Sequence, residues 1–179
     1  MNVFFDIRAA FGADDLVDEL RAHVRGCLAA YPEFYIYHAK NCLGYRAPLG
    51  WLGRVRAERK GDEKTINLKE CLKPLETFAR IYAMKHDVAA PGTLDRFAAL
   101  RAAEALRDET YRELVYVFDY LWQLRFFNQI KANAALRENT DDLDITALTD
   151  LERDNLRSVL SRIPVFQSKL SYDFLGTQA

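Results

Sequence analysis

From Asp108 to about Asn139 the chain contains neither glycine nor proline, and apolar side chains recur at helical spacing throughout. About 30 residues in that state make a rod on the order of 45 Å long, longer than a small domain is wide. The other elements must pack along it. On a 100° wheel one narrow stripe gathers Leu114, Phe118, Leu121, Arg125, Gln129 and Ala132, with Val117 and Leu124 beside it.

The other segments supply its partners. Apolar residues at 16, 17, 20, 24, 27 and 28 predict a helix over 14–30. Pro32 opens a second, aromatic-rich helix to about Arg46, and the run Pro48-Leu-Gly-Trp-Leu-Gly53 breaks it. Residues 54–59 and 64–69 alternate in polarity around Lys60-Gly61-Asp62-Glu63, the pattern of a β-hairpin. A third helix runs from about Leu72 to His86 with Pro74 in its opening turn, and a fourth from an N-cap at Thr93 to about Leu106. Thr149-Asp-Leu-Glu152 fits a capping box opening a last helix, kinked at Pro164 and ending near Gly176. Residues 2–8 read as a short buried strand, ended by Gly12, with no sheet partner in sight. The expected fold is all-α: an antiparallel bundle of about six helices, with a small hairpin near 54–69.

Half of the chain is hydrophobic and 12% aromatic, enough for a real core and inconsistent with disorder. Lys and Arg number 25 against 26 Asp and Glu, so the net charge of −1 gives no strong attraction to nucleic acid or anionic membranes. Cys27, Cys42 and Cys71 have no C-x-x-C spacing and read as reduced thiols of a cytoplasmic protein, not as a disulfide frame or zinc site. Cys27 shares a helical stripe with Leu16, Leu20 and Val24, which predicts a core position. The opening residues, with Asp6 and Arg8 close behind Phe4-Phe5, do not read as a secretory leader, so none is expected, and no apolar run reaches the ~20 residues of a membrane span.

The chemistry-bearing residues are few. Arg125 and Gln129 continue an apolar stripe where leucine would be expected. A guanidinium there needs either a carboxylate inside the bundle or a ligand at the mouth of a cleft. Arg54 and Arg56 share one hairpin face with Arg59, Lys60, Lys64 and Lys69 nearby. Such a ribbon meets a triphosphate or acidic partner, or simply guards a sheet edge. Asp141-Asp142-Leu143-Asp144 contains the D-x-D that holds two Mg²⁺ in nucleotidyl transfer. No Gly-Ser pair accompanies it, and its position between two helices predicts a loop and cap role. Arg80 and His86 match an R-x₅-H ribonuclease spacing, but six residues turn a helix by about 600°, leaving the two side chains about 120° apart. Ser-His-Asp, P-loop and dinucleotide patterns are missing, so the chain carries no catalytic motif of its own.

Several segments nonetheless share an order and spacing. Phe4-Phe5-Asp6-Ile7-Arg8 with Gly12, Pro48-Leu49-Gly50 with Gly53, Ile66-Asn67-Leu68-Lys69, Leu124-Arg125 with Asn128-Gln129, and Thr149-Asp-Leu-Glu-Arg153 follow one another along the chain. Together they resemble the substrate-binding, C-terminal helical domain of a bacterial nucleotidyltransferase family. Its members are linked to CBS or cyclic-nucleotide-binding domains and related to PII uridylyltransferases. Asn67 stands where that family usually has aspartate, and Asn128 where it has histidine. Both departures remove an ionisable group.

The resemblance implies that 1–12 is a remnant strand or linker from a catalytic domain lying upstream, and that 13–179 is the helical substrate-binding domain. It implies a non-catalytic role in nucleotide or acceptor binding within a cytoplasmic signalling protein. Lys69, Arg80 and Arg125 would offer charge to phosphate, and Gln129 a hydrogen-bonding group. Mg²⁺ and a nucleoside triphosphate would enter only with the catalytic domain. The implied partners are that domain, CBS or cyclic-nucleotide-binding domains and a protein acceptor. The alternative is a regulatory interaction module without a small-molecule ligand, docking through the basic hairpin and the second helix.

Overall fold

Asn67 is the last residue of a strand and the cap of the central helix. Its side-chain oxygen accepts from the Glu70 amide at 3.0 Å, so the helix begins at Leu68, four residues earlier than Leu72. Pro74 therefore lies in the second turn, where the missing N–H forfeits one helical hydrogen bond. In the computed structural model, which describes residues 6–8, 11–12, 14–136 and 140–177, six helices are α1 (Asp14–Ala30), α2 (Glu33–Gly44), α3 (Leu68–Lys85), α4 (Thr93–Ala102), α5 (Asp108–Ala134) and α6 (Asp150–Leu175). The expected helical bundle is what the chain builds.

α3 is its axis. It packs against α2, α4, α5 and α6, and buries Leu68, Leu72, Leu75, Phe78, Ile81 and Tyr82. The long helix α5 lies alongside and buries Leu114, Val117, Phe118, Leu121 and Ala132, the stripe read from the sequence. It ends at Ala134, where Leu136 takes a positive φ of 52°, short of the expected Asn139; residues 137–139 lie outside the described part. α4 begins one residue after Gly92, so Thr93 is its first helical residue and not its cap. α6 opens on the expected capping box: the Glu152 amide donates to Thr149 Oγ1 at 3.3 Å and the Thr149 amide to Glu152 Oε2 at 2.8 Å. It runs through Pro164 to Leu175 and stops at Gly176, which adopts φ 68°.

The hairpin is present but shorter than 54–69. Strands β1 (Glu58–Lys60) and β2 (Glu63–Asn67) join through Gly61, at φ 63°. A third strand, β3 (Asp142–Asp144), adds antiparallel to β2 with Ile66 opposite Leu143 and Asn67 opposite Asp142. Of the loop expected over 141–144, Asp142–Asp144 is thus an edge strand. Its cap role is real as well, since Asp144 accepts from the Thr146 amide at 2.9 Å to open a 3-10 turn.

α1 departs most from expectation. Its stripe borders an open cleft instead of interlocking with another helix, so Leu16 and Leu20 stay 63% and 40% accessible and Cys27 is exposed. Cys42 and Cys71 are the core thiols. Residues 2–5 of the expected N-terminal strand lie outside the described part, and Asp6–Arg8 are not in a strand.

Candidate functional site

Two polar clusters form at opposite ends of α3, about 16 Å apart for the eleven residues from Lys69 to Arg80. The first is at the β2–α3 junction. Arg125 Nε donates to Asp141 Oδ1 at 2.7 Å, and Gln129 Nε2 donates to the same oxygen at 3.0 Å. Asn128 Nδ2 donates to the Asp142 carbonyl at 3.0 Å and the Thr140 carbonyl at 3.2 Å. From the other side, Asn67 Nδ2 reaches Asp142 Oδ1 at 2.8 Å and the Leu68 amide reaches the Asp141 carbonyl at 2.9 Å. The Arg125 guanidinium also lies over the Trp122 ring at 4.7 Å.

The Asn67 and Asn128 amides therefore act as donors that hold β3 against β2 and α5. The three carboxylates of 141–144 are engaged internally: Asp141 by Arg125 and Gln129, Asp142 by Asn67, Asp144 by Thr146. Such a set does not fit the paired Mg²⁺ of nucleotidyl transfer. Among the described residues no group of three or more His, Cys, Asp or Glu is placed to hold a metal ion.

The second cluster lies where α1 faces α3 and α4. Arg80 grips Asp6 through Nε (3.3 Å to Oδ1, 3.2 Å to Oδ2) and Nη2 (2.8 Å to Oδ2). Arg96 Nη2, from α4, reaches Asp6 Oδ1 at 2.5 Å. Arg96 is only 3% exposed and Arg80 15%, whereas Asp6 is 32% exposed. Burial would raise the Asp6 pKa, but hydrogen bonds from Arg80 and Arg96 outweigh it and hold the carboxyl below its usual range. The field extends to His38, pushed down by burial and then by Arg80.

These arginines border a cleft of about 80 Å³. Arg21 and Arg25 line it from α1, and Val24, Leu28, Ala83 and Met84 supply its apolar surface. Arg25 pairs with Asp87 at 3.1 Å, and Arg21 Nη2 donates to the Ile7 carbonyl at 3.0 Å. Asp6 and Ile7 thus form a strap across the cleft, fixed to α3 and α4 through a side chain and to α1 through a carbonyl. Four arginines face three aspartates there, Asp6, Asp87 and Asp18, which meets Arg21 Nη1 at 3.4 Å, an excess of one positive charge among the described residues.

The four residues singled out in the sequence divide between these places. Arg125 and Gln129 meet at Asp141, Arg80 lines the cleft, and Lys69 is exposed on the first turn of α3. Arg54, Arg56, Arg59 and Lys64 of the ribbon are exposed. His86 is exposed too, with its ring stacked 6.4 Å from that of Tyr82. Arg96 escaped the sequence reading. Its one signal was a position beside Phe97 on a short helix, where a charge against the core needs a partner.

A family model described as "Putative nucleotidyltransferase substrate binding domain" matches residues 32–174. No curated protein and no solved structure matches the chain.

Proposed function

The chain belongs to the nucleotidyltransferase substrate-binding domain family, and we propose that it is the non-catalytic helical half of a two-part enzyme, presenting a cationic wall to a nucleotide or acceptor. The observation that carries this reading is the cleft between α1, α3 and α4, where four arginines face three aspartates over an apolar floor. Guanidinium groups suit phosphate oxygens, and low-dielectric walls strengthen their field. Of the four candidates, Arg80 takes the ligand-facing role, with exposed Lys69 a second source of charge. Arg125 and Gln129 act through β3, as positioning residues. In this reading Mg²⁺ and the reacting phosphates belong to a catalytic domain elsewhere in a bacterial, cytoplasmic signalling protein, together with CBS or cyclic-nucleotide-binding domains.

A thermal-shift series with nucleoside triphosphates and cyclic nucleotides tests it. Ligand binding to the native state stabilises it by about 2.7 kcal/mol at a hundredfold excess over Kd, so Tm rises with ligand concentration. A second reading has its own observation: Trp122, Phe126, Phe127 and Ile130 leave an apolar face of α5 37–59% accessible. No stabilisation by any nucleotide, with retained binding to a partner domain, favours a regulatory docking module.

A further inference from the structure

Two helices aim buried guanidinium groups at one point, and a carboxylate from outside the bundle occupies it. Arg80 and Arg96 are fixed: α3 and α4 pack against each other, and both arginine side chains are largely buried. Asp6 belongs to neither helix nor strand and is the most accessible member of the trio at 32%. A carboxylate brings one negative charge and two oxygens. A phosphoryl group brings up to two charges and three oxygens, and matches guanidinium forks more fully.

We infer that Arg80 and Arg96 form a phosphoryl subsite and that the Asp6 carboxylate is its displaceable internal competitor. The inference rests on the anion-binding reading above and adds the ligand class, the residues and the regulation. The incoming phosphate replaces the carboxylate on the two guanidiniums, and Asp6 swings out to water. Arg21 then loses the strap's Ile7 carbonyl and turns to the ligand. Binding is thereby coupled to release of the strap, the segment that precedes the bundle. At about 80 Å³ the cleft holds several times what one water molecule needs, room for a tetrahedral anion. Inorganic polyphosphate and a nucleoside triphosphate share this chemistry, and the arms of the test separate them.

Pyrophosphate, ATP and UTP are titrated calorimetrically into the full chain and into its Asp6→Asn and Arg80→Gln variants, with folding checked by circular dichroism. If the carboxylate leaves the site empty about a tenth of the time, removing its charge tightens pyrophosphate binding by about tenfold. Arg80→Gln abolishes that binding. Triphosphates binding more tightly than pyrophosphate would add a nucleoside contact. Equal affinity of the wild type and Asp6→Asn for pyrophosphate overturns the competitor. Triphosphate binding untouched by Arg80→Gln overturns the subsite and leaves the substrate-binding reading standing. Pyrophosphate binding by Asp6→Asn without triphosphate binding by any form keeps the subsite and removes the nucleotide reading. Should Asp6→Asn fail to fold, loss of wild-type pyrophosphate binding in Arg80→Gln decides the subsite alone.

Discussion

Arg125 Nε donates to Asp141 Oδ1 at 2.7 Å, closing the turn that returns the chain from α5 to β3. Their side chains are 17% and 21% exposed, so the pair is screened less than a surface salt bridge. Arg125→Ala leaves the Asp141 carboxylate, among the described residues, with the Gln129 amide alone and removes the guanidinium from the Trp122 face. The expected loss is about 1.5–3 kcal/mol in urea unfolding, the range for hydrogen bonds to charged groups. Asp141→Asn costs a similar amount, and the double variant less than the sum, because the two losses share one interaction. A purely additive cycle would mean that the contact does not hold β3.

Asn67 performs two tasks that aspartate performs unequally. As a cap the two are equivalent, but only the amide donates to Asp142, at 2.8 Å. Asn67→Asp therefore keeps the cap and sets two carboxylates against each other. Its melting temperature should fall below wild type at pH 7, and the gap should narrow near pH 4 as one carboxylate takes up a proton. Asn67→Ala loses both contacts, and its deficit of about 1–2 kcal/mol should be nearly the same at both pH values. A pH-independent deficit for Asn67→Asp would place Asp142 elsewhere.

What the sequence made legible was whatever a local period or cap encodes. The stripe of α5 and the Thr149–Glu152 box are such features, and the structure has both. Even the polar break at Arg125 was visible as a demand for a partner, though Asp141 as that partner was not. The start of α3 was misplaced because Asn67 terminates a strand-like run while Pro74 imitates a first-turn proline. β3 was hidden by turn-forming composition. Its pairing partners lie 75 or more residues away, and no local rule carries that distance. The Asp6 cluster is equally non-local, joining residues 74 and 90 positions apart. Periodicity also says that α1 is amphipathic without saying whether anything covers its apolar side.

The three cysteines make that last point measurable. Burial pushes the Cys42 and Cys71 thiols up to about 12, with Glu70 adding to the shift at Cys71. Neither supplies thiolate at neutral pH, and both are enclosed by the core. Cys27 is exposed on α1. A disulfide reagent at pH 7.5 should modify one thiol quickly in the native chain, and all three in urea. Cys27→Ser should abolish the fast phase and leave Tm nearly unchanged. A fast phase surviving that substitution would mean that the core opens, and no fast phase at all in the wild type would mean that α1 is covered.

The acid behaviour of Asp6 follows from which side of its ordinary value the native pKa lies. Desolvation raises it, but hydrogen bonds and charge from Arg80 and Arg96 prevail, and the net shift is downward from 3.8. A carboxyl depressed in the folded state stabilises the fold only while ionised. Its contribution is complete above about pH 3.8, where the unfolded chain titrates, and disappears as pH falls through the lower native value. The wild type should therefore exceed Asp6→Asn in urea midpoint at pH 7 and at pH 5. The two should converge below pH 3.8, because protonation makes the wild type resemble the variant. Other carboxylates titrate in the same window, but equally in both proteins, so the difference isolates Asp6. If the gap instead widened in acid, the carboxyl would be neutral in the native state and the two arginines would hold another anion. Loading both proteins with pyrophosphate at pH 7 gives the complementary check: the ligand should erase most of the wild type's advantage, since it occupies the same guanidiniums from which Asp6 derives its effect.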